Sequence, residues 1–84
     1  MKRVPKTLAG RVRYARGLTH HTAKGLDRVA GLTEGHTTMI ESGRRPRIEA
    51  GTAQALADAL GVSLDWLIAG RGEGPKSNAA KVAS

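Results

Sequence analysis

The chain has no cysteine and no phenylalanine, and its aromatic residues are a single tyrosine and a single tryptophan, Tyr14 and Trp66. The missing cysteine excludes a disulfide framework, thiolate chemistry and cysteine-based zinc sites. Without phenylalanine, the core must be built from Leu, Val, Ile and Ala, which suits short helices in close contact. Acidic residues are also scarce: seven stand against fourteen basic ones, for a formal net charge of +7 over 84 residues. No apolar run approaches the ~20 residues of a membrane span. The opening MKRVPKTLAG carries charge but no apolar signal region, so a soluble cytoplasmic protein is the expectation. The length allows one domain with a small core. Internal repeats are absent.

Enzymatic chemistry finds little support. His20, His21 and His36 lack metal-ligand spacing, and no cysteine joins them. Asp27, Glu34 and Glu41 read as capping or structural carboxylates rather than as an acid–base pair. The run Gly70-Arg71-Gly72-Glu73-Gly74 lacks the Lys-Ser/Thr of a phosphate loop and follows a helix, so it reads as a linker. No enzyme activity, metal, cofactor or small-molecule substrate is expected.

What the chain has is positive charge in one half. Up to Thr33 there are eight basic residues, Lys2, Arg3, Lys6, Arg11, Arg13, Arg16, Lys24 and Arg28, against one acid, Asp27. From Glu34 onward, six basic residues balance six acidic ones. A basic half beside a neutral half suggests a polyanionic partner, with a basic face that only keeps the protein soluble as the alternative.

Hydrophobic spacing and stop signals predict five helices. The first runs from about Thr7 to Gly17, with Leu8, Val12 and Ala15 on one stripe. The second follows Thr22 as N-cap and ends near Ala30, where Gly31 suits a left-handed cap. Gly25 inside it costs about 1 kcal/mol against Ala. The third is expected over Glu34 to Ser42, with Thr33 as N-cap, Glu34 in the first turn and Gly43 as a second stop. The fourth runs from about Ala50 to Leu60, with Ala53, Leu56, Ala57 and Leu60 inward and Gly61 as the stop. The fifth follows Ser63 and ends near Ala69. Residues 1–6 read as a basic arm, 7–70 as the domain and 71–84 as a mobile tail.

Helices two and three, joined by Ala30-Gly31-Leu32 and followed by Arg44-Arg45-Pro46-Arg47, have the layout of a helix-turn-helix. The pattern Leu26-x-x-x-Ala30-Gly31-Leu32-Thr33 and then Ile40-Glu41-x-Gly43-x-Arg45 resembles the phage-repressor and Cro type of that family. The run Ala57-Asp58-Ala59-Leu60-Gly61-Val62-Ser63-Leu64-Asp65-Trp66-Leu67 resembles the same family's junction between helices four and five. The likeness covers roughly residues 8 to 70. The family usually has Ala at the position of Asp27 and a larger apolar residue at those of His21 and Thr37. The resemblance implies an all-α, five-helix, lambda-repressor-like domain from a bacterium or phage that binds duplex DNA and regulates transcription, as repressors do.

The resemblance also assigns positions. Base-reading positions fall on Glu34, Gly35, Thr38 and Met39, with Thr33 and His36 near the backbone. Glu accepts from cytosine N4, while Thr and Met touch a thymine methyl. None of the four is Arg, Asn or Gln, the usual bidentate readers, so shape readout gains weight. Phosphate candidates are Thr22 and Ala23 at the start of helix two, Ser42 and Gly43 through backbone N–H groups, and Arg44, Arg45 and Arg47. Arg13 and Arg16 on helix one join them, and Lys2, Arg3 and Lys6 form the basic arm. By the same resemblance, Arg16 and Glu41 form a partly buried ion pair tying helix one to helix three. A homodimer through the helix-five region around Trp66 is expected, with packing of Trp66 onto helix one or four as the alternative. The competing reading is a protein-interaction module on the same fold, an antitoxin or adaptor whose third helix reads no bases.

Overall fold

Threonine and serine hydroxyls set the starts of three helices. The computed structural model describes residues 5–44, 47–72 and 74–75. Helix α1 spans Leu8–Leu18, and the Thr7 hydroxyl accepts the Gly10 N–H at 3.0 Å. Helix α2 spans Ala23–Ala30, and Thr22 accepts from Gly25 at 2.9 Å. Gly31 then reverses the chain at φ 73°, a conformation that a Cβ penalises. Helix α3 is His36–Glu41, α4 is Ala50–Leu60 and α5 is Leu64–Ala69. Ser63 opens α5 by accepting the Trp66 N–H at 3.1 Å. No strand occurs among the described residues.

The apolar stripes meet in one core. Val12 and Ala15 of α1, Leu26 of α2, Ile40 of α3, Leu56 and Ala57 of α4 and Leu67 of α5 are fully buried. Helix α3 is wedged between α1 and α2, α4 packs on α2 and α5, and α5 closes back on α1. Trp66 is only 3% exposed and its ring stands 6.5 Å from that of Tyr14. Trp66 therefore belongs to the core and not to an open face of α5. Gly74 lies directly on the indole; a Cβ there would come within 2.6 Å of Nε1. The basic arm at Lys2 and Arg3 and the tail over 76–84 lie outside the described residues.

Three polar groups, one part-buried and two buried, cross-link the helices. The Arg16 Nε and Nη2 donate to the two Glu41 carboxylate oxygens at 2.6 and 2.9 Å, and Nη1 donates to the His21 carbonyl at 3.1 Å. Arg11, 6% exposed, donates to the carbonyls of Leu67 and Ile68 at 2.8 Å each and to that of Pro5 at 2.9 Å. Asp27, 2% exposed, accepts from the N–H groups of Gly35 and Thr37 at 2.9 and 2.8 Å and from the Thr37 hydroxyl at 2.6 Å.

The third of these corrects the sequence reading of helix three. The helix does not start at Glu34 and Thr33 does not cap it. Gly35 takes φ 95°, which breaks the helical run, and α3 begins at His36. The capping oxygens come from Asp27 on α2 instead. They satisfy the Gly35 and Thr37 N–H groups that a local cap would otherwise have to serve. At the other end α3 stops at Glu41, with Ser42 as cap and Gly43 following at φ 81°.

The Glu41 contact holds the Arg16 pKa above its ordinary value, chiefly through the hydrogen bond, with burial opposing and the charge attraction adding to it. A raised cation pKa contributes stability fully below the unfolded value, itself far into the alkaline range, and loses it only as pH rises through the folded one. The Arg16 side of the pair is therefore constant across neutral pH. The two side chains are 23% and 8% exposed, between a surface pair worth at most about 1 kcal/mol and a buried one whose breakage costs about 3–5 kcal/mol. Glu41→Ala is expected to lower stability by about 2 kcal/mol in urea denaturation at neutral pH. A loss below ~0.5 kcal/mol, the scale of ordinary surface substitutions, would show that the pair holds nothing.

Candidate nucleic-acid interface

The residues singled out on the sequence gather around α3 and the start of α2. Thr22 sits at the α2 N-terminus, and its hydroxyl is spent on Gly25. The N–H groups of Ala23 and Lys24 have no partner among the described residues, so they point a partial positive charge outward. The Lys24 ammonium stands 3.6 Å from the Glu34 carboxylate, with both side chains well exposed. Thr33, Glu34, Gly35, His36 and Met39 line one open concavity of about 270 Å³. Glu34 also borders a second, of about 180 Å³, with Lys24, Asp27, Arg28 and Leu32.

Glu34 and Gly35 are thus turn residues, not helical ones. Their neighbours His36, Thr38 and Met39 belong to α3. Thr38 is exposed, Met39 is 41% exposed and His36 is half-buried. The turn bends away from the helix path because Gly35 is left-handed and tied to Asp27.

The basic candidates divide. Arg44 and Arg47 are exposed beyond the end of α3; Arg45, between them, lies outside the described residues. Arg13 is an exposed side chain 3.7 Å from Glu41. Arg16 is different: its guanidinium is committed to Glu41 and to the His21 carbonyl. The expected backbone donors at Ser42 and Gly43 are committed as well. The Ser42 N–H donates to the Thr38 carbonyl at 3.0 Å and the Gly43 N–H to that of Ile40 at 3.1 Å. The Ser42 hydroxyl donates to the Met39 carbonyl at 2.6 Å and accepts the Arg44 N–H at 3.3 Å. These two residues shape the loop that carries Arg44 and have no backbone N–H left for a phosphate.

Sequence reasoning read Asp27 as a capping or structural carboxylate, which it is, but it did not join Asp27 to Thr37, and it passed over Arg11 as part of the site's framework. A signal existed for the first two. A polar residue replaces the family's Ala at Asp27, and another replaces its larger apolar residue at Thr37. The two departures are one feature, a carboxylate and its hydroxyl donor 2.6 Å apart. Arg11 gave no comparable signal, since it looked like one more member of the basic half.

Among the described residues no group of His, Asp and Glu is placed to hold a metal ion, and no helix is long and apolar enough to cross a membrane. A family model described as helix-turn-helix matches residues 12–67, more than half of the chain. A search of curated proteins found no match.

The left-handed Gly35 gives a direct test of this turn. A Cβ at Gly35 would meet nothing within 4 Å, so Gly35→Ala carries conformational cost without a clash. The expected loss is about 1–2 kcal/mol, read as a lower melting temperature. Unchanged melting would mean that residues 34 and 35 join α3 as helix, and that the observed turn is not fixed.

Proposed function

The chain belongs to the helix-turn-helix family, whose members are DNA-binding regulatory domains, and on that basis we propose that it is a sequence-specific duplex-DNA-binding transcriptional regulator of the repressor type. What supports the reading is a set of three exposed features on and next to the helix-turn-helix elements α2 and α3. These are the exposed α3 residues Thr38 and Met39, the outward N–H groups of Ala23 and Lys24, and the exposed cations Arg44 and Arg47. Helix α3 is the element that enters the major groove, with the turn Thr33–Gly35 at its leading end. Phosphates meet the α2 N-terminus, Lys24, Arg13, Arg44 and Arg47. Arg16 acts from behind them by fixing Glu41 and so the seat of α3 on α1. No catalysis and no cofactor enters this reading. The setting it implies is the cytoplasm of a bacterium or of a phage host.

A two-fold dimer on half-sites about one helical turn apart is the assembly this reading favours. With Trp66 in the core, the apolar residue that α5 offers to a partner copy is Ile68, 47% exposed.

The electrostatic part is tested by salt. A footprint of about six phosphates makes log K fall against log salt with a slope near −0.9 per phosphate. Arg44→Ala and Arg47→Ala are each expected to weaken binding to all duplexes alike and to flatten the slope by about one unit. Mobility shift or fluorescence anisotropy across salt concentrations measures both, and an affinity independent of salt would overturn the duplex reading. The sequence-reading part is tested at Glu34. Glu34→Ala is expected to relax preference at one base pair by about 1–3 kcal/mol in site selection from a random library. Because Glu34 lies outside α3, its removal should leave melting unchanged. An unchanged motif would remove Glu34 as a reader and favour a protein partner for this face.

A further inference from the structure

The buried carboxylate between α2 and α3 does more than the core requires. Either of the family's usual residues, Ala at 27 and an apolar side chain at 37, would fill this space without a charge. Here Asp27 is 2% and Thr37 0% exposed, and their three contacts are all directed at the start of α3. One carboxylate oxygen takes the N–H and the hydroxyl of Thr37. The other takes the N–H of Gly35, two residues earlier and outside the helix. His36 is bracketed by these bonds. Its own N–H donates to the Thr33 carbonyl at 3.1 Å, which closes the turn.

The consequence is geometric. A Thr33 side-chain cap would have run the helix through Glu34 and Gly35 and placed the Glu34 side chain on the helix surface. The Asp27 clamp instead holds Gly35 at φ 95° and leaves Thr33 and Glu34 as a turn beside the concavity shared with His36 and Met39. In this chain the Asp27–Thr37 pair is what ties the turn to α2.

Resting on the DNA-binding reading above, we infer that Asp27, with Thr37 as its hydroxyl donor, is a positioning residue for sequence readout. It sets the path of Thr33–Gly35 and thereby which groups meet the base edges. It touches no DNA itself, being buried. Its removal should therefore alter discrimination among sequences and leave the phosphate footprint alone.

Asp27→Asn separates positioning from packing, because the side chain keeps its shape. The amide oxygen still accepts from Thr37, while the amide N–H₂ faces the Gly35 N–H, donor against donor. The Gly35 amide is expected to exchange with solvent at least about tenfold faster, with the Leu26 and Leu56 amides retaining their protection. The ratio of specific to non-specific duplex affinity should fall about tenfold, at an unchanged salt slope. Should the Asn variant fail to fold, the double variant Asp27→Ala/Thr37→Ile restores the apolar pair and decides the matter. It is expected to fold, to bind duplex DNA with the same salt slope and to select a different motif. Unchanged discrimination in a folded Asn variant with a released Gly35 amide overturns the inference, as does a double variant that selects the wild-type motif. Wild-type protein with no salt-dependent duplex binding overturns the DNA-binding reading and this inference with it, whereas wild-type binding beside unaltered variants overturns the inference alone.

Discussion

Two of the five helices, α3 and α5, are six residues long, which is too short to persist without help from outside. An isolated helix needs roughly twice that length even with favourable residues, because the first turn costs more order than its hydrogen bond returns. Each is held at one pole by a buried charge of the sign its dipole calls for. Asp27 places a carboxylate at the N-terminus of α3, and Arg11 places a guanidinium on the C-terminal carbonyls of α5. Hydrogen bonds to charged groups contribute about 1.5–3 kcal/mol each, against about 1 kcal/mol for a neutral one. A core with no phenylalanine has few large side chains with which to replace them.

The same charges fix where the elements sit. Arg11 reaches from α1 to α5 and to the Pro5 carbonyl, so it ties α1 and the segment before it to α5. Arg16 reaches from α1 to Glu41, the last residue of α3. Asp27 reaches from α2 to the first residues of α3. Helix α3 is thus gripped at its start from α2 and at its end from α1. Neither grip uses a side chain on the exposed face of α3, where Thr38 and Met39 remain free of the framework.

Much of this was legible in the sequence, and the reasons are local. Thr7, Thr22 and Ser63 signalled helix starts because each hydroxyl serves an N–H three residues on, and that bond depends on little else. Gly31 signalled the turn because the left-handed conformation excludes most other residues. Leu8, Val12, Ala15 and Leu26 declared the core by their spacing. The start of α3 was not legible from the same rules. Thr33 is as good a local cap as Thr22, but a carboxylate six residues before it on α2 takes the hydrogen bonds instead. Local propensity cannot rank a threonine against a partner that only the tertiary fold brings near. For Trp66 the sequence left a dimer face and packing onto helix one or four both open, and only the fold brings Tyr14 of α1 beside it and so decides for the second. At the interface, sequence pattern placed the exposed cations well. It could not foresee that the N–H groups of Ser42 and Gly43 are consumed by the end of α3.

On the proposed function, these facts bear on how a face with so few hydrogen-bonding side chains would discriminate among sequences. Thr38 and Met39 offer small apolar contacts, Gly35 offers no side chain, and Glu34 is neutralised in part by Lys24 at 3.6 Å. A carboxylate approaching DNA is repelled by phosphates, and the nearby ammonium reduces that cost without filling the groove. Each contact is weak, so selectivity has to come from holding all of them in one geometry. A turn free to move by an ångström would lose the cytosine contact of Glu34 while keeping its repulsion. The rigid clamp at Asp27 and Thr37 is then a requirement of weak readers rather than an ornament of the fold. Strong bidentate readers on longer side chains would tolerate a softer helix start, because they can adjust their own reach.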